Sequence, residues 1–239
     1  MVIKFRELKS SDNVLQNKVE LDVVMALNNK GIDFNDLSPS KKHLALFKLI
    51  SICNKCKVAR QGFIAPRYNP NPKAIFISRS TTKKDLKYGN LLDTSVPQTS
   101  IIKGICDIFD MSLQDIYFTN TCMCITKSIN DVTSKMCKNC YLYKKLEFET
   151  IKIPKIIFLL GNDAFNSIFD MDCTVNHILG DIFYSKYLGK YRLFIPIPHP
   201  VNLLRDKQLR ATTVKLLKNI SIALKHNLIE ELDKSVSNK

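Results

Sequence analysis

The sequence predicts a three-layer α/β/α domain on a central four-stranded, mainly parallel sheet, with a helical arm at its N-terminus. Three observations predict it. Four short apolar runs, at residues 74–78 (AIFIS), 116–120 (IYFTN), 156–160 (IIFLL) and 193–197 (LFIPI), are strand-length and lack the polar alternation of a one-sided sheet. Stretches with helical spacing separate them, the order of a parallel sheet between two helical layers. Each run ends in polar or turn-forming residues: Ser78-Arg79, Thr119-Asn120, Gly161-Asn162 and His199-Pro200. Ligands of open parallel sheets bind beyond the carboxyl ends of the strands, so these four ends are expected to converge on one crevice.

Residues 1–42 mix charge with weak helical periodicity and are read as a helical extension. Within them LDVVMAL (21–27) suits an amphipathic helix and GIDFNDL (31–37) a turn. The core domain is placed at 43–225. A helix begins in SPSKKHLALFKLISIC, capped by Ser38 or Ser40, with Leu44, Leu46, Phe47, Leu49 and Ile50 on its buried side, and runs into Cys53. A Pro- and Asn-rich loop with Arg60 and Arg67 leads to the first strand. Residues 79–99 are polar without a period and read as a loop, whereas 101–109 is apolar at helical spacing. The third strand ends at Gly161, and a short helix covers 162–169. GDIFYSKYLGKYRLFIPIPHP reads as a hairpin turning at Gly189-Lys190 and delivering the fourth strand. A terminal helix spans 209–225 with Val214, Leu216, Leu217, Ile220 and Leu224 on one side, and 226–239 is a polar tail.

The chain has 239 residues, with 36 Lys and Arg against 22 Asp and Glu, a net +14. That balance favours a polyanionic partner, nucleic acid first, through counterion release. A lysine-rich composition with no binding role is the plainer reading, and the basic runs Lys83-Lys84 and 135–138 are then exposed faces. No apolar run approaches the ~18 residues that span a bilayer, and MVIKFRELKSSD lacks a signal-peptide core. The expectation is a soluble intracellular protein of the cytoplasm, nucleoid or a viral replication site, without a membrane partner.

Of eight cysteines, Cys53 and Cys56 form one cluster, and Cys122, Cys124, Cys137 and Cys140 another. In an intracellular chain this grouping favours metal over a disulfide framework. Two ligand sets compete. Cys53, Cys56, Cys137 and Cys140 make two CxxC pairs, the pattern of a zinc site, although Lys57 and Tyr141 follow where zinc knuckles carry small residues. Cys53, Cys56, Cys124 and Cys140 would instead hold a [4Fe–4S] cluster. The spacing alone does not separate them. Cys106 and Cys173 lie in apolar surroundings and read as core residues.

Five pieces, in order, resemble the iron–sulfur branch (families 4 and 5) of the uracil-DNA glycosylase superfamily. They are Ile52-Cys53-Asn54-Lys55-Cys56, the strand Ile116-Tyr117-Phe118-Thr119-Asn120, Cys124 four residues after it, Cys140 ahead of Pro154-Lys155-Ile156-Ile157-Phe158-Leu159-Leu160-Gly161, and His199-Pro200 before Leu203-Leu204-Arg205. The likeness covers about residues 43–225. It implies a uracil-DNA glycosylase-like fold and a [4Fe–4S] cluster on Cys53, Cys56, Cys124 and Cys140. It also implies a base pocket in which Asn120 reads the base and His199 stabilises the leaving group. Two features depart from the family. Its GEAPG falls on Ser78-Arg79-Ser80-Thr81-Thr82, so Arg79 replaces the acidic residue associated with the attacking water. Its PFVG, whose Phe stacks on the base, is replaced by Thr94–Pro97, and Tyr88 is the aromatic that could substitute.

The chemistry suits the residue types. An amide offers a donor and an acceptor to a pyrimidine edge. An imidazole can stabilise charge developing on the departing base. Arg79, Lys83, Lys84 and Arg205 are candidates for phosphate contacts. Each has a plainer reading: Asn120 as a turn residue, His199 as a loop residue held by two prolines, Arg79 as a surface cation. Two functions are therefore expected: a glycosylase excising uracil or a related base from DNA, or a catalytically silent iron–sulfur DNA-binding subunit of a replication or repair complex. Protein partners would dock through the N-terminal arm. A zinc-ribbon nucleic-acid module is the third reading.

Overall fold

The computed structural model describes residues 4–8, 34, 36–56, 62–81, 91–187 and 190–225. The central sheet has six strands, in the order β1 (Lys4–Glu7), β7 (Asp181–Tyr187), β8 (Lys190–Ile197), β6 (Ile156–Leu160), β3 (Ala74–Ser78), β4 (Ile116–Asn120), while β2 (Gly62–Phe63) and β5 (Cys124–Ile125) form a separate antiparallel pair. The run β8-β6-β3-β4 is parallel throughout and is the four-stranded core read from the sequence.

The sheet is nevertheless wider than expected. β7 pairs antiparallel with β8, with Tyr187 opposite Lys190, so the predicted hairpin extends the sheet; Gly189 itself lies outside the described residues. β1 then pairs parallel with β7. The helical reading of residues 1–42 did not contain this strand, because KFRE is charged and mostly exposed and has no apolar alternation to show. Its extended form comes from pairing, reinforced by Arg6 Nε donating to Asp181 Oδ2 at 2.6 Å. The helix expected at 21–27 and the tail at 226–239 lie outside the described residues.

Among the described residues six α-helices flank the sheet: α1 (Pro39–Ser51), α2 (Pro97–Ile108), α3 (Ser134–Glu149), α4 (Asn162–Phe169), α5 (Pro200–Arg205) and α6 (Lys207–Lys225). Successive strand residues alternate between two cores. Ala74, Phe76, Phe158, Ile195 and Ile197 pack with Ile102 and Ile105 of α2, Leu203 of α5 and Leu217 and Ile220 of α6. Ile75, Ile77, Ile157, Leu159 and Phe194 face the other way, onto Phe165, Ile168 and Phe169 of α4 and Phe148 of α3. Burial on both faces explains the unbroken apolar runs. Each such side chain contributes roughly 1.5–3 kcal/mol.

A third core joins α1 to α3 and contains Cys122, Cys137 and Cys140. Its α1 stripe is His43, Leu46, Phe47 and Ile50, the spacing of one helical face. Leu44, expected inside, is 72% exposed because it lies a quarter-turn off that stripe. Ser38 occupies the N-cap position, but its Oγ lies 3.3 Å from Ser40 Oγ and does not cap the backbone.

One ion pair is carried into the interior. Lys144 and Glu147, on adjacent turns of α3, are 1% and 0% exposed and meet at 2.6 Å. Glu147 Oε1 accepts from Tyr117 OH at 2.8 Å, and Lys144 Nζ donates to Thr119 Oγ1. The strand that ends in Asn120 is thereby tied from beneath to the helix that carries Cys140.

Candidate active site

The carboxyl ends of β3, β4, β6 and β8 border one cavity of about 520 Å3. Asn120 and His199, read from the sequence as base reader and leaving-group stabiliser, both line it.

Asn120 is the last residue of β4 and is 4% exposed. Its Nδ2 donates to Thr81 Oγ1 at 2.8 Å, which orients the amide. A second N–H and Oδ1 supply the donor and acceptor that a pyrimidine edge requires. Pairing of β3 and β4 continues beyond the strands: the Thr121 N–H donates to Ser78 O at 2.7 Å and the Cys122 N–H to Arg79 O at 2.8 Å. These bonds fix the cavity wall and start the cysteine segment from the same point.

His199 is the N-cap of α5, with Pro200 at the first helical position, where a missing N–H costs nothing. Its Nδ1 accepts from the Val201 N–H at 3.4 Å. In the neutral ring the proton therefore resides on Nε2, which stands 3.5 Å from Ser78 Oγ. Burial pushes the imidazole pKa down from its ordinary value; Asp163 acts in the opposite direction, and Arg79 adds to the lowering. The end of β6 closes against this ring. Gly161 has φ +87°, and a Cβ there would lie 3.2 Å from His199 Cβ, so glycine meets both demands.

Arg79 also lines the cavity, but its guanidinium is engaged by protein. Nη2 donates to Val132 O at 2.7 Å, and Nε lies 3.5 Å from Asp163 Oδ2. Arg205, in the last turn of α5, borders the cavity as well. Lys83, Lys84 and Tyr88 lie outside the described residues.

Of the lining residues not singled out from the sequence, two bear on the chemistry. Phe118 is half-buried on β4, two residues before Asn120 and hence on the same strand face, and gives the cavity an aromatic wall. Period-two spacing within IYFTN was its signal. Asp163, in the first turn of α4, carries the other. Its signal was weaker: an acidic residue two places after a strand-ending glycine.

The cysteines fall as follows. Cys53, Cys56, Cys124 and Cys140 border one small pocket of about 20 Å3, together with Asn139 and Tyr143. Donors point at three of the sulfurs: Tyr143 OH to Cys53 Sγ at 3.4 Å, Asn139 Nδ2 to Cys56 Sγ at 3.5 Å, and the Met123 N–H to Cys140 Sγ at 3.4 Å. Cys137 does not border this pocket; its Sγ accepts from Thr121 Oγ1 at 3.6 Å. Four thiols with hydrogen-bond donors around them are the chemistry an iron–sulfur cluster needs. Among the described residues, however, no group of three or more His, Cys, Asp or Glu side chains is set to hold a metal ion.

An amide and an imidazole thus share the walls of one cavity at the carboxyl edge of a parallel sheet. The chain belongs to the uracil DNA glycosylase superfamily, whose sequence model matches residues 65–221. No curated protein matches the chain. Among the described residues no helix is long and apolar enough to cross a membrane.

Proposed function

We propose that the protein is a DNA glycosylase that removes uracil or a related base by hydrolysing its N-glycosidic bond. The convergence of Asn120 and the His199 Nε2–H on one cavity carries this reading. The target base leaves the stack and enters the cavity. Asn120 hydrogen-bonds its edge. As the bond to the sugar breaks, negative charge collects on the base, and the Nε2–H of a neutral imidazole stabilises it without itself being lost. Arg205 at the cavity rim and the net positive charge hold the phosphates. Incubation with uracil-containing single- and double-stranded DNA, followed by alkaline cleavage of abasic sites, tests the reading. Strand breaks that disappear in His199→Ala support it; their absence from the wild type refutes it.

Arg79 favours a second reading, a silent DNA-binding subunit, because a cation occupies the place where the family carries an acid. That protein would bind DNA with strong salt dependence, would leave uracil in place, and would meet its protein partners through residues 1–42.

We also propose that Cys53, Cys56, Cys124 and Cys140 hold a [4Fe–4S] cluster. The shared pocket and the three donors aimed at sulfur support it, and the position of Cys137 beside Thr121 speaks against the zinc set that includes it. When bound, the cluster supplies a structural clamp between the end of α1 and the segment after β4. Brown protein absorbing broadly near ~400 nm is the expected observation. A colourless protein carrying stoichiometric zinc would overturn the assignment.

A further inference from the structure

Cleaving the glycosidic bond places positive charge on the sugar and requires a water aimed at its anomeric carbon, and both demands call for a carboxylate. Residues 78–82, Ser-Arg-Ser-Thr-Thr, contain none. Among the described residues lining the cavity, Asp163 is the only acidic one.

Its surroundings are built. The first turn of α4 is anchored by Asn162 Oδ1, which accepts from the Val175 N–H at 2.9 Å. Gly161, two residues before Asp163, packs on His199, so the carboxylate and the imidazole share one wall. The Asp163 side chain is 49% exposed and thus accessible to substrate and water, whereas that of Arg79 is 27% exposed. Arg79 approaches Asp163 Oδ2 at 3.5 Å while its other arm is pinned to Val132 O. An unpaired guanidinium at this point would oppose a cationic sugar. Set 3.5 Å from Asp163, its charge is offset by the carboxylate, and the bond from Nη2 to Val132 O keeps the guanidinium in that position.

We propose that Asp163 is the catalytic carboxylate of this site and Arg79 its positioning residue. The acid has moved from the end of β3 to the start of α4, and the arginine left behind holds it. The assignment rests on the glycosylase reading above. As the bond between the anomeric carbon and the base nitrogen breaks, its electron pair departs with the base. Water oxygen bonds to the anomeric carbon, and the water proton passes to Asp163 and then to solvent. The base anion, held by His199 Nε2–H, takes its proton from solvent.

Single-turnover excision of uracil tests this. Asp163→Ala should lose roughly 100-fold in rate, the scale of a lost acid–base group, while its affinity for abasic-site DNA stays within about twofold. Sodium formate, a small carboxylate, should restore about tenfold of that loss in Asp163→Ala and nothing in His199→Ala. Arg79→Lys, which keeps the charge but cannot reach Val132 O and Asp163 at once, should lie between the wild type and Asp163→Ala. If circular dichroism shows that Asp163→Ala is unfolded, the near-isosteric Asp163→Asn carries the rate comparison. An active wild type whose Asp163 variants retain its rate overturns the carboxylate assignment alone. A wild type inactive on every uracil substrate overturns the glycosylase reading and the assignment with it.

Discussion

His199 receives a backbone N–H on Nδ1, so only its neutral form both keeps that bond and presents a proton to the cavity. Burial lowers its pKa, and burial lowers that of His43 as well. In the unfolded chain each ring takes up a proton near the ordinary value of 6.5, whereas the folded ring resists until lower pH. Their contribution to stability is therefore complete above about pH 6.5 and declines as pH falls toward the folded values. Urea midpoints should be flat from pH 8 to 7 and fall toward pH 5, and replacing His43 with Gln should flatten that acid limb. Excision should weaken over the same acid range, since a protonated ring loses the Val201 bond. His199→Ala should lower the single-turnover rate by roughly 10²–10³ with little change in DNA affinity. Asn120 and His199 were legible in the sequence because each ends an apolar run. Asp163 was not, because its partner Arg79 lies far away in the chain and only the packing of α4 beside β3 unites them.

At the level of elements, the turn from β6 into α4 and the helix α3 carry the site. Gly161 occupies a left-handed conformation against His199, so Gly161→Ala should destabilise the fold by about 1–3 kcal/mol and depress excision through a displaced ring, as chemical denaturation and single-turnover rates would show. Lys144 and Glu147 are buried together beneath β4. Burial lowers the lysine pKa, and the neighbouring carboxylate opposes that shift. Lys144→Met leaves a buried carboxylate unpaired and should cost about 3–5 kcal/mol, whereas Lys144→Met combined with Glu147→Leu should recover much of that loss. A double-mutant cycle on thermal or urea unfolding reads the difference. The four parallel strands were legible from their unbroken apolar runs. β1 was not, since four mostly charged residues adopt strand form only because β7 offers them a free edge. Leu44 shows the same limit in a helix: composition suggested a broad apolar face, and the orientation of α1 on α3 selected the narrower stripe through His43, Leu46, Phe47 and Ile50.

For the whole molecule, a net +14 and a cavity rimmed by Arg205 set the behaviour with polyanions. Affinity for DNA should fall linearly on a log–log plot against salt, with a slope magnitude of several, and Arg205→Ala should reduce that slope by about one. Fluorescence anisotropy across a potassium chloride series measures both. Cys53→Ser should bleach the proposed cluster absorbance and loosen α1 from α3, detectable as faster hydrogen exchange in both helices, whereas Cys137→Ser should leave the colour intact.

The sequence by itself determined the parallel core, the superfamily resemblance, the polar strand ends and the grouping of the cysteines into two clusters, because apolar runs, turn residues and cysteine spacing are local signals. The tertiary structure alone decided that six strands form the sheet, that Asn120 and His199 share a cavity, and that Asp163 and Arg79 stand opposite one another. Those are facts of pairing and packing between segments distant along the chain, and no local pattern encodes which distant partner a strand edge or a charged side chain will meet.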